Sequence, residues 1–153
     1  MKIFRSLIVV TFAVLGGCVV VMPRSEQPAT ANGWLTPQQA VLMAAKAAPG
    51  EVSGTFAMRV QATGAQGSRS FLNSELDYRD QQNLTVALTP GAARDLSMRL
   101  GGDSLEVLKG RNILVTGAAV RTRINFVVNG QMTEKYYYQT HVNVDDAAQV
   151  AVQ

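Results

Sequence analysis

The densest polar stretch of the chain is Asn73-Ser74-Glu75-Leu76-Asp77-Tyr78-Arg79-Asp80. Its three carboxylates, Glu75, Asp77 and Asp80, are the donor type that a hard cation such as Ca²⁺ collects, six or more oxygens at a time. Strand alternation would set Glu75 and Asp77 on one face with Asn73, and Leu76 and Tyr78 on the other. The stretch lacks the glycine and the distal glutamate of an EF-hand loop. A plainer reading is a solvated turn, in which Asp77, Arg79 and Asp80 bond to each other and to the backbone. A third is a loop at the rim of an organic-ligand site. The same carboxylates with Arg121 or Arg123 hold the parts of metal-assisted phosphodiester hydrolysis, although nothing in their spacing brings them together.

The second stretch runs from Val120 to Val144. Val120, Thr122, Ile124, Phe126 and Val128 alternate with Arg121, Arg123 and Asn125, and Tyr136-Tyr137-Tyr138 follows across Asn129-Gly130. Asn-Gly between alternating strands is a hairpin signal, so the apolar set is expected to face the core and both arginines the solvent. A two-residue turn would place Arg123 opposite Tyr136 and Arg121 opposite Tyr138. A three-residue loop, Asn129 to Gln131, would place them opposite Tyr137 and Gln139. In either register at least one tyrosine shares the arginine face. Arginines beside aromatic rings suit phosphates and stacked bases, and also sugars or anionic envelope polymers. The bland alternative has the tyrosines as strand formers and the arginines paired to Glu134 or to aspartates. His141, the only histidine, reads more simply as a hydrogen-bonded structural residue than as a base. No CxxC, HExxH, P-loop, GxGxxG or nucleophile-elbow serine is present, and no cofactor is implied.

Short elements must position these residues. Thr36-Pro37-Gln38-Gln39 reads as a helix start, with Thr36 as N-cap, Pro37 in the first position and Trp34 as a staple. The helix is expected to stop at Pro49-Gly50. Strands are expected at Val52–Thr63, Ser68–Leu76, Asn83–Leu88, Asn112–Thr116, Ala118–Val128 and Tyr136–Val144, with Ala148–Val152 ending the chain. A helix over Pro90–Leu100 follows from Ala92, Ala93, Leu96 and Leu100 at helical spacing. The order is β-β-β-α-β-β with turn-rich links.

The N-terminus is of another kind. Lys2 and Arg5 precede an uncharged apolar run from Ser6 to Leu15, followed by Gly16-Gly17-Cys18. These are the marks of a secretory signal peptide. Leu15-Gly16-Gly17-Cys18 resembles the lipobox of bacterial lipoproteins. The resemblance implies diacylglycerol on the Cys18 thiol, cleavage before it and acylation of the new amine. Val19 in place of aspartate implies sorting to the outer membrane, facing the periplasm. Cys18 is the only cysteine, so no disulfide is expected. Loss of Lys2 and Arg5 takes fourteen basic side chains to twelve against eleven acidic, a net charge of +1. That balance argues against general attraction to nucleic acid. The chain therefore divides into a leader (1–17), a Pro- and Ser-bearing tether (18–33) and one domain (34–153).

Within that domain, Phe71-Leu72-Asn73 and Leu84 to Leu88 resemble the second and third strands of an OB-fold, the oligonucleotide/oligosaccharide-binding barrel. Leu108 to Gly117 resembles its entry to strand four, and Val142 to Val150 its closing strand. The resemblance covers residues 51–153. It implies a small, mainly β, five-stranded closed barrel with one or two short helices. Fold alone does not assign function. The expected role is a non-enzymatic binding module with an envelope protein or polymer as partner, nucleic acid being a possibility that comes with the fold. The expected ligand face comprises Arg121, Arg123, Tyr137 and His141, with Asp77, Arg79 and Asp80 at the rim. The alternatives are a metal-dependent hydrolase of the nuclease-type barrels and a purely structural component of an envelope complex.

Overall fold

A computed structural model describes residues 32–153. The leader, Cys18 and most of the tether lie outside the described residues. The helix that opens the domain, α1 (Pro37–Ala47), begins as its sequence dictates. The Thr36 hydroxyl accepts from the Gln39 amide at 3.2 Å, and the Gln39 side chain accepts from the Thr36 amide at 2.9 Å. This reciprocal cap satisfies two of the amides that a helix N-terminus leaves unpaired. Ala40 and Ala44, one turn apart, are fully buried, and their small side chains let the helix lie close on the sheet.

Seven strands follow: β1 (Glu51–Arg59), β2 (Ala62–Gln66), β3 (Arg69–Asn73), β4 (Leu84–Leu88), β5 (Asn112–Val128), β6 (Gln131–Val144) and β7 (Val150–Val152). Between β4 and β5 lie α2 (Pro90–Leu100) and α3 (Ser104–Leu108). α2 has Thr89 as N-cap and left-handed Gly101, φ 74°, as C-cap. The hydrogen-bonded order is β1-β5-β6-β4-β3-β2, with β7 also on β5. All pairs are antiparallel except β4 with β6. The chain is thus mainly β with few helices, and its connectivity is OB-like.

The barrel differs from the expected one in three respects. The first expected strand is two, β1 and β2, because it changes partners midway: the Val60 amide donates to Arg111 O, and the next amide, Gln61, donates to Asn73 O. β1 and β2 end the ladder path without bonding to each other, so the sheet has seven strands and stays open rather than closing as five. Conversely, the expected fourth and fifth strands are one 17-residue strand, β5. Gly117, in its middle, is not a break. A Cβ there would sit 2.9 Å from Val142 Cγ1, so the glycine admits the neighbouring strand's side chain. Third, Ser104–Leu108 is a helix, capped by the Asp103 carboxylate on the Leu105 amide at 2.8 Å.

Phe56, Leu72, Leu84, Val86, Leu88, Ile113, Val115, Val142 and Val144 form the core between the faces of this curled sheet, with Leu96 and Leu108 closing one end. Residues Ile113, Val115 and Ala119 of β5 are buried, and this odd-numbered parity governs everything beyond them. β1 ends opposite Val120, and β4 ends opposite Thr140. Past those points β5 and β6 continue alone as a two-stranded ribbon.

Candidate ligand-binding site

Because the buried half of β5 sets the parity, Arg121 and Arg123 lie on the core side of the strand, past the end of the core. Val120, Thr122 and Ile124 lie on the outer side. This reverses the expected facing, in which the apolar set turned inward. The Asn129-Gly130 turn has two residues, both with positive φ (52° and 76°), and Val128 pairs with Gln131. A left-handed pair of this kind matches the twist of the ribbon. Neither expected register results, however. Between Asn125 and Val127 the pairing shifts, so that three residues of β6 (Thr133 to Lys135) face Phe126 alone. Thr133 Oγ1 donates to Phe126 O at 2.9 Å, and Asn125 Nδ2 to Thr133 O at 3.1 Å, which hold the bulge. Arg123 consequently stands opposite Tyr138, and Arg121 opposite Thr140.

The expected ligand residues are therefore divided between two faces. On the core side, the Arg121 guanidinium lies 3.8 Å from the Tyr138 ring centroid, and that of Arg123 4.0 Å from Tyr136. The two rings meet edge to face at 5.6 Å. This is a diagonal cation–π ladder. Among the described residues the one ion pair is Arg94 with Asp95, so no carboxylate neutralises the ladder.

On the outer side, β2, β3, β4 and β6 form the floor of a groove of about 430 Å³, a size usual for small-ligand sites. Phe71, Asn73, Thr85, Tyr137, Gln139 and His141 line it, and Tyr78 and Leu76 stand at its rim. Tyr137 and His141 thus remain together, joined by Gln139, which sequence reasoning missed. The Gln139 amide donates to Tyr137 Oη at 3.0 Å and to Tyr78 O at 3.1 Å. Its Oε1 therefore accepts from His141 Nε2–H at 2.7 Å, which selects the Nε2-protonated imidazole and leaves Nδ1 as an acceptor. Burial, and then the positive charge of Arg69, hold the His141 pKa below the usual histidine range. Burial chiefly, with the neighbouring Tyr78, raises that of Tyr137. Both side chains are neutral near pH 7. The i, i+2 spacing of Tyr137, Gln139 and His141 was the available signal for this row.

The rim loop, residues 74–83, folds on its own side chains. Asp77 Oδ1 accepts from the Arg79 amide at 2.9 Å, and Asp80 Oδ1 from the Gln82 amide at 2.8 Å, the turn-closing role of aspartate. Arg79 Nε donates to Tyr78 Oη at 3.0 Å. Among the described residues no three of His, Cys, Asp and Glu converge. The buried hub is Asn83. Its amide donates to Asn73 Oδ1, Thr85 Oγ1 and Tyr78 O at 2.9–3.3 Å, and its Oδ1 accepts from Ser74 Oγ and the Glu75 amide.

The depressed His141 pKa has a sign. Below the pH at which an unfolded histidine titrates, about 6.5, the unfolded chain binds a proton that the folded chain resists, so stability falls as pH falls. The wild type is expected to lose denaturant-midpoint stability between pH 7.5 and pH 5 by more than His141→Gln does. Equal losses in the two proteins would refute it.

No protein-family model matches the chain, and no curated protein matches it. Among solved structures it is similar to the aspartyl-tRNA synthetase from Entamoeba histolytica, with 16% identity over 86% of this chain and 24% of that one, TM-score 0.43. It is also similar to a protein from Leishmania major Friedlin described as an aspartyl-tRNA synthetase, with 10% identity over 86% of this chain and 22% of that one, TM-score 0.40. The chain spans about a quarter or less of the length of these proteins. Likeness of this degree does not extend to a ligand or an activity.

Proposed function

We propose that this chain is a non-enzymatic binding module of the cell envelope, held in the outer membrane through lipid on Cys18 and facing the periplasm. Its outer-face groove takes an uncharged polar ligand of the saccharide class. One observation carries the ligand class: with His141 neutral, no side chain lining the groove is charged. Aromatic rings and amide, hydroxyl and imidazole groups remain, which stack on and hydrogen-bond to sugar-like surfaces. A phosphodiester strand would need a row of cations there; only Arg69 and Arg79 border the groove, and the ladder arginines lie on the other face of the ribbon. The lipobox-like Leu15-Gly16-Gly17-Cys18 supports the anchoring.

The test is titration of the chain from residue 19 onward with an N-acetylglucosamine oligomer, followed by the resonances of Tyr137 and His141. Tyr137→Ala is expected to weaken binding about tenfold or more, a loss of at least about 1.4 kcal/mol, while Arg121→Gln/Arg123→Gln leaves it unchanged. Preference for a single-stranded oligonucleotide over the sugar would overturn the assignment. The anchoring is checked separately, by fatty acid on the full chain's Cys18 and its loss in Cys18→Ser.

A further inference from the structure

The ribbon ends in a cluster of apolar side chains that face water. Phe126, Val127, Val128 and Met132 are 43%, 62%, 57% and 74% exposed, around the whole tip rather than on one face. Lys135 and a single acid, Glu134, stand level with Phe126 in the bulge; behind them come Tyr136, then Tyr138 level with the unneutralised Arg123, then Arg121. An apolar end flanked by a band in which tyrosines and an excess of cations are mixed suits a bilayer surface, whose acyl region gives way to an interface with anionic headgroups. Among the described residues no helix is long and apolar enough to cross a membrane, so such contact is peripheral.

The direction of the chain adds a second, independent observation. Leu35 bridges Phe56 of β1 in parallel, its amide donating to Thr55 O at 2.8 Å and its carbonyl accepting from the Ala57 amide at 2.9 Å. At Leu35 the chain is parallel to β1, so its N-terminal side there points toward Glu51, and Asn32-Gly33 before it form a turn. Glu51 lies opposite Val120, where the ribbon begins. Leu35, the first described residue to bridge the sheet, is thus entered from the end at which the ribbon projects.

We infer that the β5–β6 ribbon is a membrane-contacting arm, which seats its apolar tip in the anionic lipid surface that holds the Cys18 anchor. The reach is adequate. The ribbon extends eight residues beyond Val120, about 27 Å at about 3.4 Å per residue. The sixteen residues between Cys18 and Leu35 span at most about 55 Å. Anchor and tip can therefore touch one bilayer, leaving the groove beside it. The shared bilayer rests on the lipidation proposed above; the affinity of the tip for lipid does not.

The buried cluster runs from Ala40 to Val150, so a chain beginning at residue 19 keeps all of it and contains no cysteine. In that chain Val128→Cys carries a polarity-sensitive fluorophore, and Ser68→Cys, in the turn at the far end of the sheet, is the control. Phosphatidylglycerol vesicles are expected to blue-shift the Val128 label and not the Ser68 label, with pure phosphatidylcholine at least tenfold less effective. Arg121→Gln/Arg123→Gln/Lys135→Gln is expected to remove the preference for anionic lipid while the melting temperature falls by no more than several degrees, the loss of two exposed cation–π contacts. A Val128 label unmoved by anionic vesicles overturns the arm. So does a shift that needs no vesicles and grows with protein concentration, which would assign the tip to a second copy. Absence of fatty acid on Cys18 in the full chain would overturn the shared bilayer and leave the label's response to decide the arm.

Discussion

Asn83→Ala is expected to lower stability by about 3 kcal/mol and the melting temperature by about 10 °C. Asn83 is 1% exposed and serves five partners. Some of these keep other bonds after truncation: Asn73 Oδ1 still accepts from Thr85, and Tyr78 O from Gln139. The Ser74 hydroxyl and the Glu75 amide lose their acceptor, and unpaired groups in a desolvated site cost about 1–3 kcal/mol each. The damage should be local before it is global. Hydrogen exchange should show the Glu75 amide unprotected while β1 and β5 stay protected, since the loop hangs on this side chain. The groove should weaken as well, because Tyr78 O is one of the two groups that orient the Gln139 amide. A melting temperature that does not move would mean that water replaces the asparagine, and that the loop is held some other way.

Phe56→Ala should cost more, about 3–5 kcal/mol, or about 12–20 °C. Phe56 is fully buried and is among the largest side chains to be so. It sits in β1 opposite Val115, where Leu35 also bridges to the sheet. The loss combines the transfer of a large ring to water with a cavity that two strands cannot close, since their spacing is set by the ladder. Phe56→Leu refills most of the volume and should cost less than about 1.5 kcal/mol. Chemical denaturation of both variants separates the effects. A Leu variant as damaged as the Ala one would show that the ring's shape, not the filled volume, is required. In neither variant should the Arg121–Tyr138 contact be affected directly, because the ribbon lies beyond the last residue that β1 pairs.

Much of the secondary structure was legible from local chemistry. The α1 cap, α2 from Pro90 to Leu100, β4 and the Asn129-Gly130 hairpin, though not the length of its turn, each depend on residues within a few positions of one another. Capping, φ > 0 and apolar period act at that range. The β-rich order β-β-β-α-β-β also followed from the succession of short elements, as did the placement of Asp77 and Asp80 in a turn, whereas the parallel pairing of β4 with β6 did not. The lipobox-like leader is read from sequence alone and lies outside the described residues.

What needed the tertiary structure is the site. Alternation shows that Arg121 and Arg123 share a face, but not which one. That was decided by the parity of Ile113, Val115 and Ala119, buried up to ten residues away, and by the bulge at Thr133–Lys135, which moved the tyrosines by two positions. A β-strand transmits facing rigidly, and a register slip between two strands costs little where neither has another neighbour. The same reasoning explains the missed Gln139. Its i, i+2 spacing put it on the face of Tyr137 and His141, but an uncharged amide shows no role by its type, and it became the link between Tyr137, His141 and the Tyr78 loop only when the end of β4 left that stretch of β6 open to the loop. Local rules act along the chain, whereas the groove and the ladder are set by where neighbouring strands stop.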